Sequence, residues 1–343
     1  QEGTADTVVF LDSNPVYDAP AELKFGELLR TRKPRTTIHV GLHEDETGLL
    51  CDWHFPLAHE LESWGDARAH DGTLSMRQPL VAPLHGGVSK LEFLGFLNRT
   101  RLGAASYEDL LLARDTTFGH ELLKAHWQQQ VNAADFGSNW WPNALHSGVV
   151  AGFELPTQQL NTNLAALAPA VRSYTKPTGV EVVFRACAKM GDGRFANNSW
   201  MAELPEPLTK LSWANAALVS MATAQKFGVQ NGDMLSISHA GTQLNIPAWI
   251  LPGHADDSVT IHLGWGRKLP DTFRVAHGSG FDAYPLRTGD AQWVLTGAVV
   301  GRGQGRYHLV CTQEHGTMVG RALVRENTVS KYAADPRWAP KMS

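Results

Sequence analysis

An α/β region followed by a β-rich region is the fold class this sequence predicts, and three observations predict it. The apolar run Thr7–Leu11, a polar turn at Asp12–Pro15, a helical stretch and a second apolar run at Thr36–Val40 follow βαβ order. Val180–Ala186 alternates apolar and polar residues as a strand does, and it opens the second half. From Ser220 onward come a short helix, an Asn231-Gly232-Asp233 turn, two strands joined at Ala240-Gly241, a third strand and a glycine-rich loop.

Each element has its own reason. Val8 to Leu11 is a short continuous apolar run, which suits a parallel sheet, and Ala21 to Leu29 follows as a helix. Pro56, Pro79 and Pro83 break residues 45–90 into loops and short helices. Ser106-Tyr107-Glu108-Asp109 before Leu110-Leu111-Leu112 resembles a capping box, and a further helix spans about Phe118 to Val131. The polar, tryptophan-containing stretch 135–148 reads as a loop, and Asn161 to Val171 as a helix until Pro169 interferes. Ser220 caps a helix to about Phe227 that Gly228 closes, Met234 to Ser238 alternates as a half-buried strand, and Leu244, Ile246 and Ala248 alternate after the hairpin. The basic run Gly301 to Arg306 reads as a solvated hairpin loop rather than a phosphate cradle, because no helix start follows it. Tyr307 to Cys311 then reads as a strand.

Composition narrows the function. The chain has 343 residues, enough for about two domains, and a net charge of −4, which gives no reason to expect nucleic acid. No apolar run reaches the roughly 18 residues that a membrane-spanning helix needs. Gln1 to Asp6 has neither the basic region nor the apolar core of a signal peptide. Cys51, Cys187 and Cys311 are scattered without a CxxC pair, so they read as free, mostly buried thiols and exclude a four-cysteine cluster. His54, His59 and His70 lie among carboxylates but lack ligand spacing, and Cys311 with His315 is an isolated pair, so no metal site is expected. No G-x-S-x-G string supports a nucleophile; the spacing at Gly278-Ser279-Gly280 is wrong. No catalytic residue is assigned. Trp140, Trp141 and Trp200 are candidate core or interface anchors.

The helix–NGD–strand segment Ala222–Ser238 and the string Gly264-Trp265-Gly266-Arg267 resemble the C-terminal pterin-dinucleotide-binding domain of the molybdopterin oxidoreductase family. Four further strings resemble one branch, the molybdopterin-like iron–sulfur subunit of bacterial alternative complex III. They are Cys51–Gly87, Trp200–Trp213, Pro252–Asp256 and Phe281–Tyr284, and the resemblance runs from about Val8 to about Asp335.

This resemblance implies an α/β plus all-β fold: a partial molybdopterin-oxidoreductase-like α/β layer with a helical insert over 1–179, a six-stranded double-psi β-barrel over 180–325, and a C-terminal extension over 326–343. The family's N-terminal half would lie outside this chain, and the first sheet's missing strands would come from another segment. Gly264, Trp265, Gly266, Arg267 and Asp282 would face the pterin, but cofactor binders of the family usually carry Asn where Asp282 stands. A carboxylate beside a pyrophosphate is unfavourable. The branch also implies a domain without molybdenum. The expectation is therefore a cofactor-free structural segment of a membrane-associated quinol:electron acceptor oxidoreductase, with no active site of its own. Iron–sulfur clusters and haems would sit on partners: an iron–sulfur-bearing segment, a multihaem cytochrome and quinol-binding membrane subunits. The place would be the periplasmic side of a bacterial inner membrane. The alternative is part of a catalytic molybdopterin-dependent oxidoreductase whose other half is on a separate segment.

Overall fold

The computed structural model describes residues 5–31, 34–101, 117–150, 152–173, 179–269, 271–272, 274–313 and 324–341. The capping-box-like start at Ser106 and the partner His315 lie outside these residues. The chain divides into two units, Gln1–Pro177 with Leu269–Arg274 and Arg287–Asp290, and Thr178–Lys268 with Val275–Leu286 and Ala291–Ser343.

In the first unit, β1 (Thr7–Leu11), β2 (Thr36–Gly41) and β3 (Trp53–Pro56) form an all-parallel sheet in the order β1-β2-β3. The parallel pairing expected for Val8 to Leu11 is present, with Val8 opposite Thr37 and Phe10 opposite His39. Val40, Leu57 and Phe93 form its buried cluster, on which Val9, Ile38 and Phe55 pack. The connection is not the single helix expected at Ala21 to Leu29. A 3-10 turn, Ala21–Leu23, ends at Lys24, whose φ of 42° is left-handed, and a helix then restarts over Phe25–Thr31.

Residues 45–90 contain strands that the sequence reading missed. Besides β3 there are β4 (Gly65–Arg68) and β5 (Leu74–Arg77), an antiparallel hairpin extended by β6 (Val149–Val150). The prolines punctuate these strands: Pro56 is the last residue of β3, and Pro79 follows β5. The hairpin packs on Leu123 and Trp127 of the helix Thr117–Gln130 and on Trp141. Trp127 Nε1 donates to Asp66 Oδ2 at 2.9 Å, which satisfies an otherwise buried indole. The stretch expected as loop at 135–148 is largely helical. Its last helix, Trp141–Ser147, carries a proline in its first turn and ends at Gly148, whose φ is 71°. The helix Leu164–Ser173 continues through Pro169, in a stretch exposed enough for water to meet the carbonyl that the proline leaves without a donor.

In the second unit, β7 (Glu181–Arg185), β9 (Ala217–Val219), β10 (Asp233–His239), β11 (Thr242–Ile250), β12 (Ser258–His262), β13 (Val294–Leu295) and β14 (Val299–Arg306) make one sheet in the order β13-β7-β12-β9-β11-β10-β14. β8 (Leu211–Ser212) and β15 (Val310–Cys311) pair separately, and β15 is shorter than the strand expected from Tyr307. From β13 to β10 the pairings run antiparallel, parallel, antiparallel, parallel, antiparallel, a palindrome centred on β12–β9. Val182, Leu235, Ile237, Ile246, Ala248, Val259 and Ile261 are fully buried along it.

Local signals set this unit's register. Ser220 Oγ accepts from Thr223 N at 3.1 Å, and Gly228 closes the helix Met221–Phe227 at φ 65°. Ala240 and Gly241, at φ 48° and 82°, make the two-residue turn between β10 and β11. Gly301 to Arg306 is strand β14 rather than a loop. Arg302 and Arg306 point to one side, where the buried Asp233 carboxylate takes both, and Gly303 lies against the backbone of Met234.

Candidate functional site

The strings Gly264–Arg267 and Phe281–Tyr284 meet. Gly264 and Gly266 have φ of 89° and 74°. A Cβ on Gly266 would stand 2.2 Å from Asp282 N, so only glycine permits this approach. Gly266 N donates to Ser279 O at 2.9 Å, and Gly278 N donates to Arg267 O at 3.2 Å. Arg267 is 3 % exposed, and its Nη1 donates to Gly193 O at 3.1 Å. Asp282 Oδ1 accepts from Tyr284 N at 3.0 Å, and Tyr284 Oη donates to Asp192 O at 2.8 Å.

Residues that the sequence reading did not single out hold this arrangement. Asn215 acts as a staple: its amide donates to His262 O at 2.8 Å and Phe281 O at 2.9 Å, while its oxygen accepts from Phe281 N at 2.8 Å. Lys189 is 2 % exposed and lies 5.3 Å from the Trp265 ring centre. Its ammonium donates to Leu204 O at 2.6 Å, Leu211 O at 3.2 Å and Ala202 O at 3.4 Å. A lone lysine inside Ala186-Cys187-Ala188-Lys189-Met190 was the available signal, but its carbonyl partners lie 13 to 22 residues away.

The donors around this loop pair do not suit a pyrophosphate. The Arg267 guanidinium is buried against a carbonyl, and the nearby Asp282 side chain is a carboxylate. A pyrophosphate placed here would lie beside the Asp282 carboxylate, which disfavours it, and the Nη1 of Arg267 is already held by Gly193 O. No chemical step follows from these residues through such a group.

The histidines separate. His59 caps a short helix, its Nδ1 accepting from Leu61 N at 3.2 Å, and His70 is exposed. His54 pairs with His39 on the neighbouring strand: the two Nδ1 atoms are 2.9 Å apart and the rings stack at 5.0 Å. His39 is 1 % exposed, and its Nε2 lies 3.4 Å from Asp45 Oδ1. Among the described residues no group of three or more His, Cys, Asp or Glu could hold a metal ion. The cysteines are free, but only Cys187 is buried, while Cys51 and Cys311 are half-buried. Trp141 is in the core, whereas Trp200 is 83 % exposed.

The histidine environments predict a pH dependence. Burial, and then the neighbouring His39, hold His54 below the ordinary histidine value; burial also lowers His262. The unfolded chain then binds protons more readily near pH 6.5, so stability is full above that value and falls as pH drops through it. Thermal unfolding from pH 7.5 to 5 should show a falling Tm, and His54→Gln should flatten the fall. An unchanged slope in that variant would remove His54 as a cause.

Comparisons with known proteins bear on the fold and the family resemblance. No protein-family model matches the chain. The chain is 25 % identical over 274 residues to the molybdopterin-binding-like subunit of a menaquinone reductase from Nitratidesulfovibrio vulgaris, covering 78 % of this chain and 37 % of that protein. Acetylene hydratase from Pelobacter acetylenicus superposes with a TM-score of 0.51 at 12 % identity, over 82 % of this chain and 40 % of that one. The chain therefore spans well under half the length of either.

Proposed function

We propose, on the premise that this chain is a molybdopterin-oxidoreductase-like protein, that it serves as a cofactor-free structural segment of a quinone-linked oxidoreductase of the alternative complex III kind. The observation that carries this reading is the loop pair itself. Where the resemblance puts a pterin face, Gly266 lies against Asp282, Arg267 is buried with its Nη1 on Gly193 O, and Asp282 supplies a carboxylate. The relative's name joins a molybdopterin-binding-like subunit to menaquinone chemistry. The inherited fold acts as a scaffold that fixes the distances between redox centres on its partners, an iron–sulfur segment, a multihaem cytochrome and quinol-binding membrane subunits. Among the described residues no helix is long and apolar enough to cross a membrane. The chain would therefore reach the periplasmic face of the membrane through those partners. The relative is named a reductase, so the direction of quinone turnover, here quinol oxidation, belongs to the test.

The second unit would be a double-psi barrel. Its support is the palindromic pairing from β13 to β10, which relates two half-sets of three strands, each with one parallel pair. β14 would be an addition to those six strands.

Elemental analysis of the intact complex should find molybdenum well below one atom per complex. One atom per complex would support the catalytic alternative. Asp282→Asn keeps the oxygen that accepts from Tyr284 N, so stability should change by less than about 0.5 kcal/mol. Quinol oxidation should likewise stay within about twofold of the parent. Lost turnover in an assembled complex would give this loop a role in the reaction.

A further inference from the structure

The basic run Gly301–Arg306 has no part in the scaffold reading, yet the fold gives it a defined place. Asp233 is 5 % exposed and takes three donors: Arg306 Nε at 3.0 Å, Gln230 N at 3.0 Å and Arg302 Nη2 at 3.4 Å. Two guanidinium groups against one carboxylate leave one positive charge uncompensated. Arg306 Nη2 donates to Asn231 O at 3.1 Å, so the guanidinium is fixed at two corners and its Nη1 makes no hydrogen bond among the described residues.

That guanidinium lines a recess of about 510 Å³ beside Asn231, Trp249, Tyr307, His308 and Leu309. Donors are in surplus on its walls. Asn231 Oδ1 is taken by Ile250 N at 2.7 Å, which leaves its amide nitrogen. Trp249 Nε1, Tyr307 Oη and the His308 ring make no hydrogen bond among the described residues, and no carboxylate lines the recess. Trp249 packs on the buried cluster of Leu211, Ala214, Ala216, Leu218 and Leu309, and the Tyr307 ring packs edge-on against Phe281 at 5.1 Å, so both aromatic walls are supported from behind.

We propose that this recess binds a small organic anion: a carboxylate that takes the free corner of Arg306, carried on a flat apolar body that lies against Trp249 and Tyr307. The donor surplus and the single net positive charge select the anion, and the aromatic walls select the body. A fixed guanidinium also loses little freedom on binding.

Ligand-observed saturation-transfer NMR on the intact protein tests this, because it does not depend on the protein's size. Benzoate should receive saturation, benzamide of the same shape should not, and inorganic phosphate or raised NaCl should reduce the benzoate signal. Arg306→Gln should weaken benzoate binding by about tenfold or more. Arg306→Lys should lose part of the affinity, and His308→Ala, which changes an exposed side chain, should lose a few-fold at unchanged Tm. Equal signals from benzamide and benzoate would show an apolar recess only and overturn the proposal. Unchanged benzoate binding in folded Arg306→Gln would overturn it as well. If Arg306→Gln does not fold, unchanged binding in both Arg306→Lys and His308→Ala has the same meaning.

Discussion

Gly266→Ala should destabilise the second unit by about 3 kcal/mol or more, because two costs add at that residue. The first is conformational: at φ 74° an L-residue loses about 1–2 kcal/mol relative to glycine. The second is steric, since the new methyl would stand 2.2 Å from Asp282 N and 2.7 Å from Phe281 C. Both atoms are backbone, so no side-chain rotation relieves the overlap. The loop 278–282 would have to retreat, breaking the Gly266 N to Ser279 O bond and pulling on the Asn215 staple at Phe281. Gly253→Ala is the matched control: its φ is 85°, but nothing lies within 4 Å of the new methyl, so only the conformational cost applies. Denaturant unfolding of the two variants should separate them clearly. Equal losses would mean that the Phe281–Tyr284 loop is free to move, and the rigid loop pair on which the scaffold reading rests would be wrong.

What could be read from the sequence was what is local. Ser220, Gly228 and the Ala240-Gly241 turn were legible because each acts within a few residues, through a cap or a left-handed backbone. The alternation within Met234 to Ser238 was legible because Leu235 and Ile237 face one core while Ser236 and Ser238 face away from it. β14 has the same period of two, with glycines alternating with Arg302, Gln304 and Arg306, but no apolar residue marks the period and the partner is a carboxylate 69 to 73 residues away. β4 and β5 were missed for a related reason. The flanking prolines, Pro56, Pro79 and Pro83, looked like breakers of the whole stretch, while the packing that fixes the two strands comes from Leu123, Trp127 and Trp141, far along the chain. The meeting of Gly264–Arg267 with Asp282 was not legible from spacing at all and came from the family resemblance. His39 beside His54 follows from parallel register, which the sequence does not print.

Lys189→Met should cost about 3 kcal/mol, and its pH dependence can identify the cause. Methionine keeps most of the volume of the buried stem but carries no donor. Leu204 O then loses a 2.6 Å bond, and Leu211 O and Ala202 O lose bonds of 3.2 and 3.4 Å. The last two keep backbone donors, Glu206 N and Trp213 N, so the largest loss falls at Leu204. The Trp265 face, 5.3 Å from the ammonium, loses its cation as well. Burial holds the Lys189 pKa below the ordinary lysine value, outweighing the nearby Cys187 and Glu206. The unfolded chain therefore binds the proton more tightly, so this residue's contribution to stability should grow as pH rises towards the ordinary lysine value of about 10.4. A neutral amine can still donate, so bonds to these carbonyls survive that deprotonation. The Tm difference between the parent protein and Lys189→Met should widen from pH 7 to pH 10. If the difference stays constant, Lys189 acts through packing alone. If it shrinks, the ammonium charge itself is what holds Leu204, Leu211 and Trp265 together.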